Sequence, residues 1–167
     1  EARQDLPERR VALKTLPPWN RSPAAREQFR TEVQALARVL HPGIPQVYEV
    51  FEHAGAPVLA MELVDGLGLL EAGEARDTHG RVQLLVGIAR AVQHAHERGV
   101  IHRDLKPANV LVNQRGDPVV LDFGIAALGD GHARSAGTIA YIPPEQLDSS
   151  GGPDARSDVY SVAALGW

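Results

Sequence analysis

Hydrophobic and polar positions along this chain change period several times, and each change marks an element. Residues 10–16 (Arg-Val-Ala-Leu-Lys-Thr-Leu) read as a strand, stopped by Pro17 and Pro18. Ser22 before Pro23 is a helix start, with serine as N-cap and proline at the first helical position. Phe29, Val33, Leu36 and Leu40 then recur at steps of four and three, an inward stripe, and His41-Pro42-Gly43 ends the helix. Residues 47–51 and 57–63 are strand candidates around a turn at Gly55, and Asp65-Gly66 breaks the pattern.

The strongest periodic segment is 81–98, which places Leu85, Ile88, Val92 and Ala95 on one face and meets its stop at Gly99. Residues 110–112 and 118–121 flank Asn113-Gln114-Arg115-Gly116-Asp117, a second hairpin. The Gly-, Ala- and charge-rich run 122–135 reads as a loop. Residues 143–147 predict a short helix and 157–167 a longer one.

Composition narrows the class. The 167 residues carry 17 Lys+Arg against 21 Asp+Glu, a formal charge of -4, without the basic excess of a general nucleic-acid binder. Hydrophobic residues at 44% and charged residues at 23% are ordinary for a folded domain, which argues against wholesale disorder. With aromatics at only 5%, the core must rest on Leu, Val, Ile and Ala. Zero cysteines exclude a disulfide scaffold and any thiolate metal site. No apolar run approaches the roughly 18 residues of a membrane span. The start at Glu1 rather than Met leads us to expect that the natural N-terminus lies further upstream.

Two groups of residues carry chemistry. Glu32 lies three residues after Phe29 and four before Leu36, on the inward side of its helix, where a charge needs a partner. Lys14 is one candidate; two separate surface charges are the alternative. The second group is His102-Arg103-Asp104-Leu105-Lys106-Pro107-Ala108-Asn109, which follows the long helix, and Asp122-Phe123-Gly124, which follows the second hairpin. Asp104, Lys106, Asn109 and Asp122 can converge at the strand ends. They would offer a base, a cation for phosphate, and an amide and a carboxylate for Mg²⁺, which takes hard oxygen ligands. Such parts suit phosphoryl transfer, where catalysis is mostly positioning and charge neutralisation.

With these motifs in this order, the chain resembles a protein kinase catalytic domain. Val11-Ala12-Leu13-Lys14 is similar to the nucleotide-lysine strand, residues 102–109 to the catalytic loop, Asp122-Phe123-Gly124 to the metal motif. Pro143-Pro144-Glu145 is similar to the Ala-Pro-Glu motif with one change, and Asp158-Val159-Tyr160-Ser161 to the start of the following buried helix. Lys106-Pro107-Ala108-Asn109 and Gly137-Thr138 resemble the serine/threonine pattern, and His41-Pro42-Gly43-Ile44 the bacterial members of eukaryotic-like type.

The resemblance implies an α+β, two-lobed fold, incomplete at both ends. Residues 1–64 would form part of the small lobe and hinge, and 65–167 part of the large lobe. No Gly-x-Gly-x-x-Gly precedes Lys14, and the chain stops within the helix that begins near Asp158, so we expect a fragment of a longer domain. That cut would expose apolar surface around Val159, Val162 and Leu165. It would also remove the family's arginine partner of Glu145.

The implied cofactors are ATP and Mg²⁺, and the implied partners are protein substrates presenting Ser or Thr; no nucleic acid is implied. Lys14 would hold the α- and β-phosphates with Glu32 positioning it. Asp104 would take the hydroxyl proton, and Lys106 would neutralise the γ-phosphate. Asn109 and Asp122 would bind Mg²⁺, and Thr138 would bond to Asp104 and Lys106. Met61 would back the adenine pocket, with Glu62, Leu63 and Val64 as hinge, Asp65 near the ribose, and Ala12 and Leu111 on either side of the ring. Leu36, Val47, His102 and Phe123 would form a packed column. Ser135 is the candidate acceptor for loop phosphorylation, with Arg103 as the cation to meet it. His94 and His96, two apart on a helix, face different ways and make a poor metal pair. A cytoplasmic catalytic domain is implied by the need for ATP, and the parent protein could carry a membrane anchor. The alternative reading is a kinase-like binding module without catalysis, or a degenerate fragment.

Overall fold

The computed structural model describes residues 10–16, 22–123, 141, 143 and 154–166. The first strand, β1 (Val11–Thr15), is followed by α1 (Pro23–Leu36), β2 (Val47–His53) and β3 (Ala56–Glu62). These strands form an antiparallel sheet in the order β1-β3-β2. The turn between β2 and β3 is Ala54-Gly55, both at positive φ (48° and 71°), the twist that a two-residue hairpin requires.

Ser22 caps α1 as its position predicts: its Oγ accepts the Ala25 N–H at 3.2 Å, with Pro23 in the first turn. Phe29, Val33 and Leu36 are buried along the inner face of α1. Leu40 is not part of that stripe. The helix ends at Leu36, the chain tightens through an N–H bond from Val39 to Leu36 O (2.9 Å), and Val39 turns inward while Leu40 is 66% exposed. The periodicity stopped with the helix, one turn before His41.

The second half begins with two short elements that carry no periodic signal, β4 (Gly66–Gly68) and α2 (Leu69–Glu74). β4 pairs with β5 (Val110–Asn113), which pairs with β6 (Pro118–Val120). Gly66 is required where it stands: a Cβ there would collide with the Val112 carbonyl across the strand pair. The long helix α3 (Thr78–His96) starts three residues before the periodic segment, because Asp77 caps it by accepting the Gly80 N–H at 2.8 Å. Leu84, Ile88, Ala91, Val92 and Ala95 are buried; Leu85, expected inside, is only half-buried. Gly99, at φ 74°, follows it.

The last helix, α4 (Ala155–Ala164), is closed at its start by a reciprocal capping box between Asp154 and Ser157. Of the apolar residues expected on its exposed side, Val159 is 61% exposed, whereas Val162 and Leu165 pack against the core. α4 leans on α3, which supplies the cover. One continuous core runs from Phe29 and Leu59 in the first half to Ile88, Val110 and Phe123 in the second. Among the described residues, no helix is long and apolar enough to cross a membrane.

Candidate active site

The loop between α3 and β5 is anchored by a buried acid. Asp158, at the start of α4 and 1% exposed, accepts the His102 N–H at 2.7 Å and the Arg103 N–H at 2.9 Å. His96 Nε2 lies 2.7 Å from the same carboxylate. A buried carboxylate is tolerated when its lone pairs are filled in this way. The anchor holds Arg103 at φ 70°, a sparsely populated conformation that costs about 1–3 kcal/mol.

His102, fully buried, bonds Leu121 O through Nε2 at 2.8 Å and packs on Phe123, ring centroids 4.9 Å apart. Burial holds its pKa below the ordinary 6.5, against the pull of Asp158. Leu36 is buried in the same core as Phe123, and Val47 is half-buried against that core.

Beyond His102 the loop turns its polar side chains together. Lys106 Nζ donates to Asp104 Oδ2 at 2.7 Å. Asn109 Nδ2 donates to Asp104 O at 2.8 Å and to Asp104 Oδ2 at 3.3 Å. The Leu121 N–H bonds Asn109 O at 2.8 Å, which ties the next residue, Asp122, to the same corner. Asp122 sits at φ 63° and its Oδ1 is 2.8 Å from Lys14 Nζ. Four of the expected residues therefore converge with Lys14, which arrives from the other sheet.

The pairing of Glu32 differs from expectation. Lys14 meets Asp122, and Glu32 meets Arg103, whose NH1 donates to Glu32 Oε1 at 2.8 Å. Glu32 has an internal partner, as its place on α1 demands, but that partner is the guanidinium held by Asp158. The pair is not fully satisfied: Glu32 Oε2 and Arg103 Nε are both buried without a hydrogen-bond partner. Two cations and two carboxylates in one corner allow two pairings, and spacing along the chain cannot choose between them.

The nucleotide-lining candidates lie on β1, β3 and β5 and on the segment between β3 and β4. Ala12 and Met61 are register partners across β1 and β3, with Met61 buried. Glu62 donates its N–H to Gln46 O (2.9 Å) and accepts the Gln46 N–H at Oε2 (3.2 Å). Val64 is half-buried between the two sheets in sequence, and Asp65 Oδ2 accepts from Gln114 Nε2 at 3.1 Å. Leu111 pairs with Gly68 and Val119. Thr138, Ser135, Gly124, Pro144 and Glu145 lie outside the described residues. The residue that sequence reasoning undervalued is Arg103, offered only as a phosphate partner. Its signal was its place between His102 and Asp104.

Residues 1–166 match the protein kinase domain family. The chain belongs to that family. It is 38% identical, over 94% of its length, to a probable serine/threonine-protein kinase of Streptomyces coelicolor, and spans 25% of that protein. It is 36% identical, over 98% of its length, to the DNA damage-responsive serine/threonine-protein kinase RqkA of Deinococcus radiodurans, of which it spans 26%. Among solved structures, the kinase domain of Mycobacterium tuberculosis PknI superposes with a TM-score of 0.71 at 32% identity. That match covers 93% of this chain and 61% of the solved one, so the kinase fold is present here in part. Members of the family use ATP and a divalent metal.

The described side chains suit such ligands. Asn109 commits its amide nitrogen to Asp104, which leaves Oδ1 as a hard oxygen donor. Among the described residues Asp122 pairs one carboxylate oxygen, Oδ1, with Lys14, and its side chain is 38% exposed.

Proposed function

We propose that the protein carrying this chain is an ATP-dependent serine/threonine kinase. It moves the γ-phosphoryl group of ATP to Ser or Thr hydroxyls of protein substrates, using Mg²⁺. The observation that carries this reading is the contact set of Asp104, Lys106 and Asn109 beside Asp122 and Lys14. A structural role alone does not need a base, two cations, an amide and a second carboxylate in one corner.

Asp104 orients the attacking hydroxyl and takes its proton as the new O–P bond forms and the bond to ADP breaks. Lys106 gives Asp104 its fixed position and meets the transferring phosphoryl group. Asn109 Oδ1 and Asp122 would hold Mg²⁺, which would supply neutralisation of phosphate charge. With ATP bound, Lys14 would hold the α- and β-phosphates, and Glu32 would be the residue to position Lys14. Ala12, Met61, Glu62, Val64, Asp65 and Leu111 accept the nucleoside. This reading puts the catalytic part on the cytoplasmic side, where ATP is supplied.

A kinase-like module without catalysis is the second reading, favoured by the Glu32–Arg103 pair, which keeps Glu32 off Lys14. Transfer of labelled γ-phosphate by the intact protein separates them. Asp104→Asn should lower turnover by about 10²–10⁴-fold with folding unchanged, the usual scale of a lost general base. Undiminished turnover in that variant removes the role of Asp104. No transfer by the unaltered protein to any Ser/Thr substrate favours the module.

A further inference from the structure

A second polar site lies where the segment after α1 meets α3, and it shares no residue with the catalytic cluster. The rings of His41 and His94 stand 5.0 Å apart, tilted by 41°. His41 Nδ1 accepts the Gly43 N–H at 3.0 Å. That bond fixes the tautomer: Nδ1 bears no proton, so the neutral ring carries it on Nε2 and presents a donor. His94 Nε2 is sealed from water and has no hydrogen-bond partner.

An open groove of ≈ 590 Å³ is lined by both histidines. Val86 and Ala89 give it apolar wall, and Arg90 gives it a cation that forms no ion pair among the described residues. Its one acid is already engaged, because Glu97 accepts from Gln93 Nε2 at 3.0 Å and lies 3.8 Å from Arg98. With Glu97 set against Arg98, the charge of Arg90 is left over, and the His41 Nε2–H adds a donor. A metal cation does not fit, since His41 cannot ligate through Nε2 while Nδ1 also accepts a hydrogen bond without losing both ring protons.

We propose that this groove binds a small organic oxyanion, a phosphate or carboxylate group carried on an apolar body, with His41 Nε2–H and Arg90 on the anion and Val86 and Ala89 on the body. Charge-assisted hydrogen bonds of this kind are the strong ones. Burial and the nearby His94 and Arg98 hold the His41 pKa below its ordinary 6.5, and an anion in the groove reverses that push.

The test follows the ring signals of His41 and His94 in the intact, histidine-labelled protein by NMR. Phenyl phosphate and benzoate are the charged probes and phenol is the neutral one. The charged probes should shift both rings saturably and raise the His41 pKa, and phenol should not. The tighter of the two charged probes distinguishes a phosphoryl from a carboxyl ligand. Arg90 is exposed, so Arg90→Gln should leave the fold intact and weaken binding by about tenfold, the worth of one charged hydrogen bond. His41→Asn keeps an acceptor for the Gly43 N–H, removes the Nε2 donor, and should weaken binding by a similar factor of about ten. Equal shifts with phenol, no saturable response, or unchanged affinity in both variants overturns the proposal. None of these results touches the kinase reading, which uses other residues.

Discussion

At the residue scale, Asp158 explains most of the site. One carboxylate with three neighbours fixes the backbone of His102 and Arg103 and so aims Asp104. The motif residues were legible because their order is specific. Their pairings were not, because Glu32 has two cations to choose from and the choice depends on where α1 sits. His102 gives a pH prediction at this scale. Its folded pKa is depressed, so the neutral ring contributes stability that is present above the unfolded pKa and lost as pH falls through the folded value. Urea midpoints should fall progressively below about pH 6.5, the unfolded reference for histidine. A midpoint that rises on acidification over that range contradicts the buried neutral ring.

At the element scale, long periodic or capped segments were readable and short ones were not. Ser22-Pro23 announced α1, and Ile88, Val92 and Ala95 announced α3. β4 has three residues, two of them glycine, so no period exists to detect; its pairing with β5 rests on the close approach at Gly66. Leu40 was misplaced because a stripe extends only as far as the helix that bears it. The cap at Ser22 is measurable: Ser22→Ala should cost about 1 kcal/mol by removing the acceptor for the Ala25 N–H. Denaturant titration checks this. An unchanged midpoint would mean that α1 is held by Phe29, Val33 and Leu36 alone.

At the scale of the whole molecule, two small sheets share one core, and the corner that joins Lys14 to Asp122 forms where they meet. Lys14 comes from the first sheet, and Asn109 and Asp122 from the ends of strands in the second. The sequence resemblance leads to an expectation of two lobes with Lys14 on one and Asn109 and Asp122 on the other. It did not reveal that the corner closes on itself through Lys14–Asp122 and Glu32–Arg103. Lys14–Asp122 is a partly exposed pair and individually weak, whereas Glu32–Arg103 is largely buried, so parting it without a replacement partner is costly. The gain comes from the ligand, which stabilises only the state that binds it.

The most direct measurement is therefore the thermal unfolding of the intact protein with and without Mg·ATP, repeated for Asp122→Asn. Nucleotide at ~100 times its dissociation constant should stabilise the unaltered protein by about 2.7 kcal/mol, and the variant should lose most of that gain. An equal gain in Asp122→Asn, or no gain in the unaltered protein, would contradict a metal–nucleotide site built on Lys14, Asn109 and Asp122.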